Sequence, residues 1–232
     1  MNGRSSAPWA GSRKPDVLKA VDHPDFIRQN TSVLSPPLVP EVRLHLALEA
    51  VPIWQRTEEE LGEIGLPPPF WAFAWAGGQA LSRYVLDHPQ LVKGKSVLDL
   101  ATGSGLVAIA AKKAGATSVL AADIDRFACA AARLNAQVND VAIEISETDL
   151  LENEPQAFDV ILVGDLFYEK ALAARVHSWL KAAKHNGTAI LIGDPGRSYL
   201  PKSELSHVID YNVPVTRELE DSEIKRTSVW RI

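Results

Sequence analysis

The sequence predicts an α/β fold in which a mostly parallel, seven-stranded sheet ends in an antiparallel hairpin. Two observations carry that reading. From Lys95 onward, short apolar runs alternate with helix-forming stretches, the pattern of parallel strands joined by right-handed crossovers. At the end of the chain, segments 207–218 and 224–231 are strand-like and separated only by the polar stretch 219–223. A parallel pairing needs about a dozen connecting residues, so these two must run antiparallel.

Taken in order, strands are expected at 96–101, 118–123, 142–148, 159–164 and 188–193. Helices fall at 104–114, 125–138, 169–183 and 201–206, and Asn186-Gly187 supplies the turn before the fifth strand. Ahead of this core, 70–88 reads as a helix approach opened by Gly77-Gly78, with Ala80, Leu81, Tyr84 and Val85 as its apolar stripe and Pro89 at its end. The triplet at 67–69 is a stiff connector of prolines. An apolar pattern through Val42, Leu46 and Ala50 is interrupted by Pro52. Residues 1–36 are expected to be a flexible tail and 37–232 one domain, divided into an N-terminal helical extension (37–94) and a Rossmann-like core (95–232).

With 232 residues, 46% of them hydrophobic, the chain can bury a large core. No apolar run approaches the roughly 18 residues that span a bilayer, so no membrane partner is expected. A net charge of −5 argues against nucleic acid, which needs clustered Lys and Arg. The single cysteine, Cys129, cannot form an internal disulfide and reads as a small core residue in a reducing compartment, the cytoplasm or, in a eukaryote, the mitochondrial matrix. Six scattered histidines lack metal-ligand spacing, so no metal is expected, and the protein is read as a monomer. The acidic run Glu58-Glu59-Glu60 with Glu63 reads as a solvated helix face, or as a surface attracting a basic substrate.

The chemistry concentrates at the strand ends, where ligands of open α/β sheets bind. The first strand leads into Asp99-Leu100-Ala101-Thr102-Gly103-Ser104-Gly105, whose glycines let a ligand approach the main chain. Eighteen residues after Gly105, the second strand ends in Asp123, a carboxylate placed to take both hydroxyls of a ribose. The loop also fits a relaxed dinucleotide fingerprint, Gly103-x-Gly105-x-x-Ala108. Asp99 favours S-adenosylmethionine over NAD, because a carboxylate repels a pyrophosphate and attracts a sulfonium and an ammonium. Its alternative role is to cap the following turn. After the third strand, Asp149 could accept from an adenine amino group with the Leu150 amide as donor, or could simply form a turn. The fourth strand ends in Asp165-Leu166-Phe167-Tyr168, an acid followed by aromatics that suits a cationic or polar nitrogen, unless the rings pack in the core.

These motifs, with Pro40-Glu41-Val42-Arg43-Leu44-His45-Leu46, the stretch Pro69-Phe70-Trp71-Ala72-Phe73-Ala74-Trp75-Ala76-Gly77-Gly78-Gln79-Ala80-Leu81, Asp123-Ile124-Asp125 and Gly193-Asp194-Pro195-Gly196-Arg197, resemble the family 16 seven-β-strand protein methyltransferases. Within that family the likeness is to the electron-transfer-flavoprotein β-subunit lysine methyltransferases and their bacterial homologues. It runs from about Pro37 to the C-terminus. The resemblance implies a Rossmann-like class I methyltransferase fold, S-adenosylmethionine as cofactor and a protein substrate, the electron transfer flavoprotein β subunit. It implies Asp165 and Tyr168 at the target lysine, and Trp75, Thr102, Ser104 and Ile124 with the other loop residues at the cofactor. Alternatives that the residues leave open are a small-molecule N-methyltransferase and, from another class, an NAD-binding dehydrogenase or nucleotide-binding regulator. At pH 7 only about one lysine in 2,500 is neutral. Asp165 would hold the ammonium yet favour its charged form, and no dedicated base is evident.

Overall fold

A computed structural model describes residues 22–61, 68–215 and 223–232. Expectations for 1–21, for Glu63, for Pro67 and for 216–222 lie outside the described residues. The chain orders earlier than Pro37: α1 (His23–Asn30) and β1 (Ser32–Leu34) fall inside the expected tail. Asp22 caps α1 by accepting from the Asp25 amide, and Pro24 fits the first turn, where its missing N–H costs nothing. Phe26 and Ile27 are buried in a cluster with Trp71 and Phe127. So short an apolar signature among polar neighbours gives the sequence little periodicity to show. β2 (Leu44–Leu46) pairs antiparallel with β1. α2 (Ala50–Leu61) includes Pro52, tolerated because it too lies in a first turn. α3 (Ala76–Asp87) follows a 3-10 turn at Phe70–Ala72.

The core alternates as expected through β3 (Ser96–Leu100), α4 (Leu106–Lys113), β4 (Ser118–Ala122), α5 (Arg126–Val138), β5 (Glu144–Ser146), β6 (Val160–Gly164), α6 (Lys170–His185) and β7 (Ala189–Asp194). β8 (Ser206–Pro214) and β9 (Ile224–Arg231) form the terminal hairpin. Together they make one seven-stranded sheet in the order β5-β4-β3-β6-β7-β9-β8. Pairings through β7 are parallel, and β9 runs antiparallel to both β7 and β8. The expected helix at 201–206 is instead a 3-10 turn, Lys202–Glu204, because β8 starts at Ser206 and claims the backbone.

Strand periodicity sorts the core into two faces. Val97, Leu162 and Leu191 join α3 and α4 on one side, while Leu98, Ile161 and Ile192 join α6 on the other. Burial on both faces is why these strands read as nearly continuous apolar runs. Among the described residues no helix is long and apolar enough to cross a membrane.

Candidate functional site

β4 and β6 flank β3, so the chain order reverses there and the strands' carboxyl ends open a crevice. A cavity of about 460 Å³ occupies it, within the usual range of small-molecule sites. The loop after β3 turns through positive φ at Ala101, Gly103 and Gly105 (55°, 52° and 81°). A Cβ added to Gly103 would meet nothing within 4 Å, as expected of backbone facing a cavity. Gly105 departs from expectation, because it is absent from the cavity wall. It caps α4, and a Cβ there would lie 3.1 Å from Ala132. Its glycine serves the turn and the α4–α5 contact. Thr102 and Ser104 line the cavity, and Asn135 ties the loop down by donating to the Ser104 carbonyl at 2.7 Å.

Asp99 does cap the turn: one carboxylate oxygen accepts from the Thr102 hydroxyl at 2.5 Å and from the Ala108 amide at 3.0 Å. It also borders the cavity, and burial pushes its carboxyl up to about 7. Its ordinary value is 3.8, so between these values the folded state holds the proton more tightly than the unfolded chain. Asp99 therefore adds stability below pH 3.8 that is lost as pH rises through about 7. In Asp99→Asn the amide oxygen can keep both bonds without the charge. Without ligand, its melting temperature is expected to gain more over wild type at pH 8 than at pH 5. An equal difference at both pH values would refute the assignment.

Asp123, at the end of β4, accepts from the Gly103 amide at 2.9 Å and the Asp125 amide at 3.0 Å, so the acid and the glycine loop set each other's position. Burial raises its carboxyl. Ile124 lines the cavity and is 70% exposed. Asp149 and Leu150 also line it. One Asp149 oxygen accepts from the Leu151 amide at 3.0 Å and the other from Arg175 at 2.9 Å, so the turn-forming role is realised and a cation stands beside it.

Asp165 lies just beyond β6 with φ of 54°, a left-handed backbone that a non-glycine residue adopts rarely and that clusters at functional sites. Its two oxygens are well served. Oδ2 accepts from the Gly77 amide and, at 3.2 Å, from the Gly78 amide, both in the first turn of α3. Oδ1 accepts from Arg197 at 2.9 and 3.2 Å. Burial pushes the carboxyl up to about 6, against the pull of Arg197. Phe167 is fully buried in the core, whereas Tyr168 is 45% exposed and packs 5.5 Å from Phe70. Trp75 completes this aromatic rim, 5.7 Å from Phe70 and hydrogen-bonded to its carbonyl.

Arg197, Phe70 and Phe73 also line the cavity but gained no role from the sequence. Arg197 had one legible cue: Pro195-Gly196 turns the chain straight after a strand ending in Asp194, returning the next side chain to the sheet edge. The buried Asp99, the half-buried Asp123, the open backbone of Gly103 and the aromatic wall fit a nucleoside that carries a sulfonium.

Comparison with known proteins agrees. Residues 79–193 match the family "Ribosomal protein L11 methyltransferase (PrmA)". The human electron transfer flavoprotein beta subunit lysine methyltransferase is 38% identical over 96% of this chain and 86% of its own. The Caenorhabditis elegans homolog of that enzyme is 36% identical over 76% of this chain and 78% of its own. Among solved structures, magnesium protoporphyrin IX methyltransferase from Synechocystis, with bound SAM, shares the fold at a TM-score of 0.50 and 15% identity, covering 66% of this chain and 77% of that one. This protein is a methyltransferase with S-adenosylmethionine as its cofactor, and the dinucleotide reading of the glycine loop falls. The chain belongs to the family of electron transfer flavoprotein β-subunit lysine methyltransferases.

Proposed function

We propose that this protein methylates a lysine side chain of the electron transfer flavoprotein β subunit, acting as a monomer in the cytoplasm or the mitochondrial matrix. The observation that carries the reading is Asp165, a buried acid that lines one cavity with the half-exposed rings of Phe70 and Tyr168. A carboxylate beside aromatic faces favours a nitrogen that gains positive charge as it is methylated, with cation–π contacts worth ~0.5–2 kcal/mol. The names of the relatives supply the substrate.

In this reading Asp123 takes the ribose hydroxyls, and Asp149 with the Leu150 amide meets the adenine edge beside Ile124. Asp99, Thr102, Gly103 and Ser104 face the amino-acid end of the cofactor, Gly105 shapes their loop, and Trp75 closes over it. The cofactor supplies a methyl carbon already activated by its sulfonium. What remains for the chain is alignment, since a nucleophile held in line saves most of the entropic cost of meeting it. Asp165 and Tyr168 orient the amine.

The test is incubation with methyl-labelled cofactor, separately with purified β subunit and with the small-molecule fraction of a lysate. Label on a β-subunit lysine is the expected result; label only in small molecules would turn the reading to the rival N-methyltransferase. For Asp123→Ala, two charge-assisted hydrogen bonds of roughly 1.5–3 kcal/mol each are lost. Affinity for S-adenosylhomocysteine is expected to fall at least tenfold, by calorimetry. Unchanged affinity would remove Asp123 from the ribose.

A further inference from the structure

Asp165 already has a cation. Arg197 reaches its Oδ1 through Nη2 at 2.9 Å and Nε at 3.2 Å, and its guanidinium carbon lies 5.8 Å from the centre of the Trp75 ring. The backbone delivers it there: Asp194 Oδ1 accepts from the Gly196 amide at 2.6 Å and the Arg197 amide at 2.7 Å, closing a turn at the end of β7. The pair is sheltered, with side-chain exposures of 23% for Arg197 and 8% for Asp165. The other side of the carboxylate is taken by the Gly77 and Gly78 amides. An entering ammonium would therefore find both oxygens of Asp165 engaged and a fixed positive charge beside them.

We propose that Arg197 compensates the charge of Asp165 so that the acceptor amine occupies the site in its neutral, nucleophilic form. The inference rests on the lysine reading above and addresses its proton difficulty. An unpaired Asp165 would hold the ammonium and protect it from reaction. Arg197 does not deprotonate in proteins, so above about pH 6, where Asp165 is ionised, the pair is neutral overall. A neighbouring fixed cation in a sheltered pocket lowers the basicity of an amine, a known route to an active lysine. The surrounding charges balance rather than undo this. From β7 and the turn after it, Asp194 faces Arg197 and Lys202. Across the cavity stand Asp99 and Asp123, held up by burial, and the Tyr168 phenol, which burial keeps neutral. The α3 side presents only amides. In the transfer step the N–C bond forms, the C–S bond breaks and S-adenosylhomocysteine leaves. The amine has already given one proton to water, and the methylated nitrogen carries the positive charge.

The test is the pH dependence of single-turnover methylation of the β subunit by wild type, Arg197→Gln and Arg197→Lys. In Arg197→Gln the alkaline midpoint is expected to move up by about one pH unit or more, with near-neutral turnover falling about tenfold and recovering at high pH. Arg197→Lys, which keeps the charge, should keep the wild-type midpoint. Binding supplies a second readout: Arg197→Gln should gain affinity for a substrate peptide bearing trimethyllysine relative to one bearing norleucine, and wild type should not show that preference. An Arg197→Gln enzyme that is slower at every pH with an unmoved midpoint would overturn the proposal, as would a main effect on S-adenosylhomocysteine affinity. A wild type that labels no protein lysine sinks the lysine reading itself, whereas a labelling wild type with an unmoved midpoint sinks only the role of Arg197.

Discussion

Asp165→Ala is expected to slow methyl transfer to the target lysine by about two orders of magnitude or more, a loss of roughly 2.7 kcal/mol of transition-state stabilisation. Affinity for S-adenosylhomocysteine should stay within a few-fold, because Asp123 ends β4, across β3 and its glycine loop from β6. The structure adds a cost in stability. Removing the carboxylate strands the Gly77 and Gly78 amides at the start of α3, and buried donors without partners cost ~1–3 kcal/mol each. Asp165→Asn separates the two effects. Its oxygen can serve the glycine amides, while its NH₂ against Arg197 cannot accept from the guanidinium, so part of the lost stability should return while transfer does not. Single-turnover kinetics and calorimetry on both variants decide the matter. Full transfer by the asparagine variant would remove the carboxylate charge from the mechanism, and loss of cofactor binding would move Asp165 into the cofactor site.

The sheet was legible because its central parallel strands are apolar runs buried on both faces, as in Val160-Ile161-Leu162-Val163. The hairpin was legible because too few residues separate its strands for any other pairing. Acids at strand ends marked the site, since ligands gather where strands point: Asp99, Asp123, Asp149 and Asp165 all reach the same cavity. What those acids bind within the chain was hidden. The partners of Asp165 are 87 and 88 residues earlier and 32 later, joined only by the fold. Local pattern likewise missed α1, whose two core residues are defined by Phe127 a hundred residues on. The packing of Gly105 was hidden for a related reason, as its missing side chain answers to Ala132 on α5.

Gly77→Ala should be severely disruptive, and Gly78→Ala beside it should not. α3 crosses the ends of β6 and β7 so closely that a Cβ on Gly77 would lie 2.2 Å from the Gly193 carbonyl oxygen and 2.5 Å from Asp165 Oδ2. Neither atom can yield, the first because it belongs to a central strand and the second because Arg197 holds its carboxylate. The helix must move off the sheet, breaking its bonds to Asp165 and displacing Trp75, which immediately precedes α3. Overpacking of this kind costs ~1–3 kcal/mol, and the orphaned carboxylate oxygen adds to it. At ~2–4 °C per kcal/mol for a chain of this size, the melting temperature should drop by about 5 °C or more. A Cβ on Gly78 meets only Leu106 and Val107 side chains at 3.9 Å, an ordinary contact. That position has helical backbone, so alanine there should be neutral or stabilise by up to ~1 kcal/mol through reduced chain entropy. Thermal melts of the two variants, with and without S-adenosylhomocysteine, read both effects. Equal melting temperatures would mean that α3 does not depend on its close approach to β7. A destabilised Gly77→Ala that still binds the cofactor normally would uncouple the start of α3 from Trp75.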